Sequence, residues 1–256
     1  MSTACSVHPS PPVVHAIMST IVRLTVERID RTRRAAGQTF AALLHSKPPV
    51  PHILEHPLLK DQLFPPDYCA KTNWGSDADV FPRVAKLLAV ECYAKAALTG
   101  YAYSLGGVSE HLSASSKAAL DAHLLDISED GENLKKFLTM LLELFEHSTK
   151  SSSSKSGSNT QDKCVKSIIG SGVNKVAANP STNDRLSLPL LKTIEHFITS
   201  SPLFDEALCD ALALPLLAAL QRAARGTKDF HRLVAIAQVM FIKIIVHRNS
   251  IMKEQY

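Results

Sequence analysis

Three histidines, His45, His52 and His56, fall close together, with Glu55 between them and Cys69 a short way on. Zinc takes four ligands of these types. The spacing matches no zinc pattern, and Pro48, Pro49 and Pro51 describe a proline-rich surface loop that carries polar histidines. A Cys–His nucleophile needs a thiolate beside a base. With five Cys and 11 His in the chain, some such pairing arises by chance. No Gly-x-Ser-x-Gly elbow, phosphate-cradling glycine loop or His-Glu-x-x-His occurs. Ser104-Leu-Gly-Gly107 lacks the Lys-Ser/Thr of a phosphate loop and reads as a helix stop, with glycine in the left-handed region. No catalytic residue, cofactor or metal ligand is assigned, and the chain is not expected to be an enzyme.

Binding is the remaining chemistry. Arg28, Arg31, Arg33 and Arg34 are the densest charge in the chain. As a solvated helix face they are partly neutralised by Glu27–Arg31 and Asp30–Arg34, both in the favourable i,i+4 order. As a functional face they suit an acidic partner. Trp74, the single tryptophan, fits two roles equally, a buried packing residue and an interface anchor. Phe81-Pro82-Arg83 reads as packing plus a helix start, with Arg83 free to reach outward. Arg28, Arg31, Arg34, Trp74 and Arg83 are therefore the partner-binding candidates.

These residues sit in a chain of 256 residues with 45% hydrophobic and 6% aromatic content. That leans towards helix, because no convincing run alternates apolar and polar residues. A net charge of +4 is too mild to imply nucleic acid. The scattered cysteines, Cys5, Cys69, Cys92, Cys164 and Cys209, read as reduced thiols of a cytoplasmic protein. No apolar run reaches the roughly 20 residues of a membrane span, since Gln238 and Lys243 interrupt the longest, Leu233 to Val246. No signal peptide is read at the N-terminus.

Periodicity places the helices. Residues 1–12 read as a disordered start. One helix is predicted from Val13 to Ser46, weakened or divided at Gly37. Residues 52–78 form an irregular excursion with one turn near Leu58 to Leu63, ended by Pro65-Pro66. Asp79 is read as the cap of the next helix, with Pro82 in its first turn. Another runs from about Cys92 to Leu105. Ser109 caps one that reaches about Ile127. Leu134, Phe137, Leu138, Leu141, Leu142 and Phe145 give the cleanest stripe, and burying each offers about 1.5–3 kcal/mol as an upper bound. Residues 148–183 are serine-rich and read as a disordered insertion. Leu190, Leu191, Ile194, Phe197 and Ile198 form a second stripe, capped by Ser187. Ser201 before Pro202 starts a helix that Pro215 kinks or splits. A last helix carries Phe230, Leu233, Val234 and Ile245 on one face. The class is all-α, a train of amphipathic helices suited to stacked pairs. Domain limits follow as 13–147 and 184–247, with 248–256 frayed.

Four blocks add a family likeness. They are Ile29-Asp-Arg-Thr-Arg33 with Phe40-Ala-Ala-Leu-Leu-His45 and Pro48-Pro-Val-Pro-His52; Asn73-Trp74 with Val80-Phe-Pro-Arg83; Tyr103-Ser-Leu-Gly-Gly107; and Asp184 to Ile198. Together, in this order, they resemble the C-terminal region of tubulin-folding cofactor D. The resemblance implies a HEAT/armadillo-like α-solenoid segment. It implies binding of β-tubulin and fellow cofactors after the chaperonin step, work alongside an Arf-like small GTPase, and a share in stimulating GTP hydrolysis by tubulin. Family members are much longer, so the chain is read as a shortened piece. The competing expectation is a generic helical-repeat adaptor or an inactive truncated fragment.

Overall fold

In a computed structural model the chain is described at residues 10–107, 109–150, 186–200, 206–226 and 234–238. Among the described residues every regular element is a helical turn or helix, and no strand occurs.

Ser10 precedes helix α1 (Pro11–Leu24), whose first turn holds Pro11 and Pro12. Proline is tolerated there because the first N–H groups have no helical partner. The start predicted at Val13 thus moves back into the segment read as disordered. Val14, Met18, Ile21 and Val22 form its buried stripe. The single helix predicted over 13–46 is two helices, α1 and α2 (Asp30–Leu44). No glycine or proline makes the break. Three carbonyls that a continuous helix would use are bonded to side chains instead. Ser104 Oγ donates to Val26 O, and Arg33 Nη1 donates to Glu27 O and Arg28 O. Gly37 does not divide α2; it is buried within it, and a Cβ there would lie 2.1 Å from Trp74 Cε3.

The stretch after α2 is held by side chains rather than by regular structure. His56 Nε2 donates to Leu44 O (2.9 Å), covering a carbonyl at the end of α2, and His45 Nε2 donates to Phe64 O (2.9 Å). His52 and Glu55 hold positive φ of 63° and 53° between them. A π-type turn at Leu58–Leu63 falls where the sequence predicts one, and the short helix α3 (Pro66–Lys71) follows it, starting at the Pro65-Pro66 pair.

Helix α4 (Asp77–Val84) is capped by Ser76, not Asp79: Ser76 Oγ accepts from Asp79 N (3.4 Å). Pro82 therefore sits inside α4 rather than in its first turn. It supplies no N–H to the ladder, and the chain tightens to a 3-10 turn at Ala85–Ala89. Helix α5 (Glu91–Leu105) is central, packed against α1, α6 (Glu110–Ile127), α7 (Gly131–Lys150) and α8 (Ser187–Ser200). Ser109 occupies the N-cap of α6 without a side-chain bond. The α5 stop is not left-handed: Gly106 has φ −74°, and glycine is needed because Pro189 of α8 lies 2.9 Å from where its Cβ would be. The α7 stripe is buried as predicted, with Leu142 at its margin, and α7 runs past the expected limit at His147 to Lys150. The predicted insertion otherwise falls on residues 151–183, outside the described residues. Ser187 lies within the first turn of α8 rather than before it. Helix α9 (Glu206–Gly226) packs on α7 and passes Pro215 unsplit; its predicted start at Ser201 lies outside the described residues. Only 234–238 of the last predicted helix is described, and it is helical.

Backbone comes close to backbone between α5 and the end of α1. A Cβ on Gly100 would lie 2.3 Å from Val26 Cγ2 and 2.6 Å from Arg23 O. Gly100→Ala should cost about 1–3 kcal/mol, because backbone cannot yield as a flexible side chain would. Thermal melting checks this; an unchanged midpoint would refute the tight α1–α5 contact.

Candidate functional site

The arginine run separates by position on α2. Arg33 shares the inward face with Gly37, Phe40 and Leu44 and is 4% exposed. Its Nη1 donates to Glu27 O (2.8 Å) and Arg28 O (3.0 Å), and its Nη2 donates to Gly75 O (2.5 Å). Its guanidinium lies 5.9 Å from the centre of the Phe81 ring. Burial pulls its pKa down, while Asp77, Asp30 and Glu27 hold the charge in place. Asp77 in turn accepts from Ser115 Oγ (2.5 Å) and lies 3.1 Å from His111 Nδ1, fastening α4 to α6. The buried Tyr101 hydroxyl donates to Phe81 O (2.5 Å). Arg33 is thus a packing cation, and the outward face keeps Arg28, Arg31 and Arg34.

Those three are exposed at the N-terminal end of α2. The predicted Glu27–Arg31 pair does not form, because Glu27 lies before the helix; it sits 3.8 Å from Arg28 instead. Asp30–Arg34 forms as predicted, at 3.8 Å. Pairs this long and exposed add little stability and leave the guanidinium groups open to a competing carboxylate.

Trp74 lies in the interior, 4% exposed, so the interface role has no surface to act through. Its ring rests on Gly37, its Nε1 donates to Cys69 O (3.3 Å), and Phe64 and Tyr68 pack beside it. Arg83 is half-buried with its guanidinium 4.5 Å from the centre of the Tyr68 ring, and Tyr68 Oη donates to Asp79 O (3.0 Å). Arg28, Arg31 and Arg34 therefore group together, whereas Arg83 and Trp74 belong to the aromatic cluster.

Among the described residues no cluster of three or more His, Cys, Asp or Glu is arranged to hold a metal ion. Cys69 donates to Phe64 O and burial lifts its pKa to about 11; burial, then the charge of Glu55, lifts Cys92 as well. Both are thiols at neutral pH, the less nucleophilic form. Two clefts meet at His123. One, of about 320 Å³, runs between α4 and α6 past Ala85, Ala119 and Asp126; the other, of about 620 Å³, runs between α5 and α7 past Lys95, Phe137 and Glu143. His123 packs against Phe137 at 5.2 Å, and burial lowers its pKa despite the opposing pull of Asp126. Among the described residues, no helix is long and apolar enough to cross a membrane.

Arg33→Met should lose at least about 3 kcal/mol, since three carbonyls lose their donor at once. Arg31→Gln on the outer face should stay within about 0.5 kcal/mol. Urea titration of both variants tests the contrast, and equal losses would refute it. A lowered His123 pKa means that the unfolded chain takes up this proton first as pH falls. Its contribution is intact above the ordinary histidine value of about 6.5 and is lost below it. His123→Phe should therefore flatten the fall in melting temperature between about pH 6.5 and 5; an acid limb as steep as in the parent chain would exclude His123 as its source.

The four sequence blocks converge in space. Arg33 joins the first to the second through Gly75 and Phe81, Ser104 joins the third to the break after α1, and Pro189 of the fourth sits on Gly106. A family model described as "Tubulin folding cofactor D C terminal" matches residues 15–155, more than half of the chain. No solved structure matches it. With the match spanning α1 to α7 and the packing that joins them, the chain belongs to the tubulin folding cofactor D family, in its C-terminal region.

Proposed function

We propose that this chain is a tubulin-folding cofactor module that binds β-tubulin and fellow cofactors in the cytoplasm after the chaperonin step. It contributes to GTPase activation of tubulin by holding partners, without a catalytic residue of its own. An Arf-like small GTPase is a further partner. The family match over residues 15–155 is the observation that carries this reading.

The physical support is a division of labour among cations. Arg33 is spent inside the fold, and Arg28, Arg31 and Arg34 remain outside it, opposed by only loosely held carboxylates. Tubulin presents acidic surface, so attraction to this face speeds encounter and weakens with salt. Arg83, stacked on Tyr68, lies apart from this group as a lesser contact.

Immobilised full-length chain should retain purified αβ-tubulin at micromolar concentration. Retention should fall as salt rises. Absence of retention at low and physiological salt would refute the reading.

A further inference from the structure

We propose that Ile29, framed by Arg28, Arg31 and Arg34, is the apolar anchor of a docking face for an apolar depression rimmed by carboxylates on tubulin. The proposal rests on the tubulin-binding reading above and names the contact that would carry it.

Ile29 breaks a local rule. It occupies the N-cap of α2, where Ser, Thr, Asp or Asn would accept a bond from the first free N–H groups, and its side chain forms no cap bond. A β-branched apolar residue there forgoes the helix stability that a capping side chain supplies. Nor does Ile29 recover that loss by burial, because it is 59% exposed. Residues that oppose local stability without a packing return point to function.

The surrounding arginines are positioned rather than free. Arg34 lies over Gly75, where a Cβ would come within 2.7 Å of Nη2, and Arg28 lies over Gly107, where a Cβ would come within 2.9 Å of Cδ. Neither glycine has a positive φ, so space for the arginine, not backbone freedom, is what glycine supplies. Two arginines, 51% and 49% exposed along their side chains, thus lie on either side of the exposed Ile29 in the chain, with Arg31 on the same exposed end. Positioned side chains lose less entropy on binding. Two carboxylates, the exposed Asp30 and the 22% exposed Glu27, stand against the three arginines. The excess positive charge selects a carboxylate-bearing partner surface, and Ile29 demands an apolar hollow at its centre. That is the arrangement of a binding hot spot, an apolar anchor within a polar rim.

The full 256-residue chain and purified αβ-tubulin test this by binding isotherms at low and physiological salt, with melting curves for every variant. Ile29→Ser should weaken binding about tenfold while leaving the melting temperature equal or higher, as a new N-cap would. A merely structural isoleucine would lose stability instead. Gly75→Ala and Gly107→Ala should each weaken binding severalfold at unchanged net charge, by displacing Arg34 and Arg28. If a glycine variant fails to fold, Arg34→Gln and Arg28→Gln report on the same contacts. Tubulin binding by the parent chain with Ile29→Ser unaffected would overturn the docking face and leave the proposed function standing. Weakening that appears only with a lowered melting temperature would overturn it too. No tubulin binding by the parent chain would overturn both.

Discussion

One buried cation sets the shape of the N-terminal half. Arg33 stands on the core stripe of α2 and gathers carbonyls from two separate stretches of backbone, Glu27 and Arg28 on one side and Gly75 on the other. Burying a guanidinium is unfavourable unless its donors find acceptors and its charge is opposed. Here Nη1 and Nη2 find three carbonyls, Nε is left without a partner, and Asp77 is the leading opposing charge. Because the carbonyls of residues 27 and 28 serve Arg33, they are lost to the helix, and α1 ends where α2 must turn. The angle between the first two helices therefore follows from polar satisfaction rather than from a glycine or proline.

The same logic governs the centre of the fold. Helix α5 is approached closely from two sides, by α1 at Gly100 and Ser104 and by α8 at Gly106. Small residues let backbones approach, and each approach leaves carbonyls that need donors. Ser104 answers one by donating to Val26 O, and Tyr93 and Tyr101 answer others by donating to Leu54 O and Phe81 O. The tyrosine hydroxyls stay protonated far above neutral pH because burial disfavours the phenolate. Most polar groups inside this region thus serve as fasteners between helices. That leaves the exterior as the place where a partner can be recognised.

The apolar stripes were legible in the sequence because period alone reports them. Leu134 to Phe145 and Leu190 to Phe197 are buried where the pattern puts them, and α5, α6 and α7 fall near their predicted limits. What periodicity misses is polar. The break after Leu24 has no breaker residue, and its causes, Arg33 and Ser104, lie far from it along the chain or belong to a charge run that reads as solvated. One signal was available: Arg33, Gly37, Phe40 and Leu44 share a helical face, which places a cation on the core side. Trp74 was ambiguous for a related reason, since only the contact with Gly37 decides that its ring points inward. The cap read at Asp79 lies three residues earlier in the chain, at Ser76, because both residue types suit an N-cap and periodicity does not choose between them.

The family blocks acquire a physical meaning from this geometry. Arg33, Trp74, Phe81 and Ser104 are interior, and the glycines beside them make room for neighbouring chains. Such a frame orders the side chains on its surface, and ordered side chains lose less entropy on contact with a partner. Gly75 and Gly107 show how frame and face are joined. Gly75 lends its carbonyl to the buried Arg33 while the space above it holds the exposed Arg34. Gly107 follows the end of α5 and supports Arg28. Interior and exterior cations thus meet at the same backbone: Gly75 touches Arg33 through its carbonyl and Arg34 through the space above its Cα.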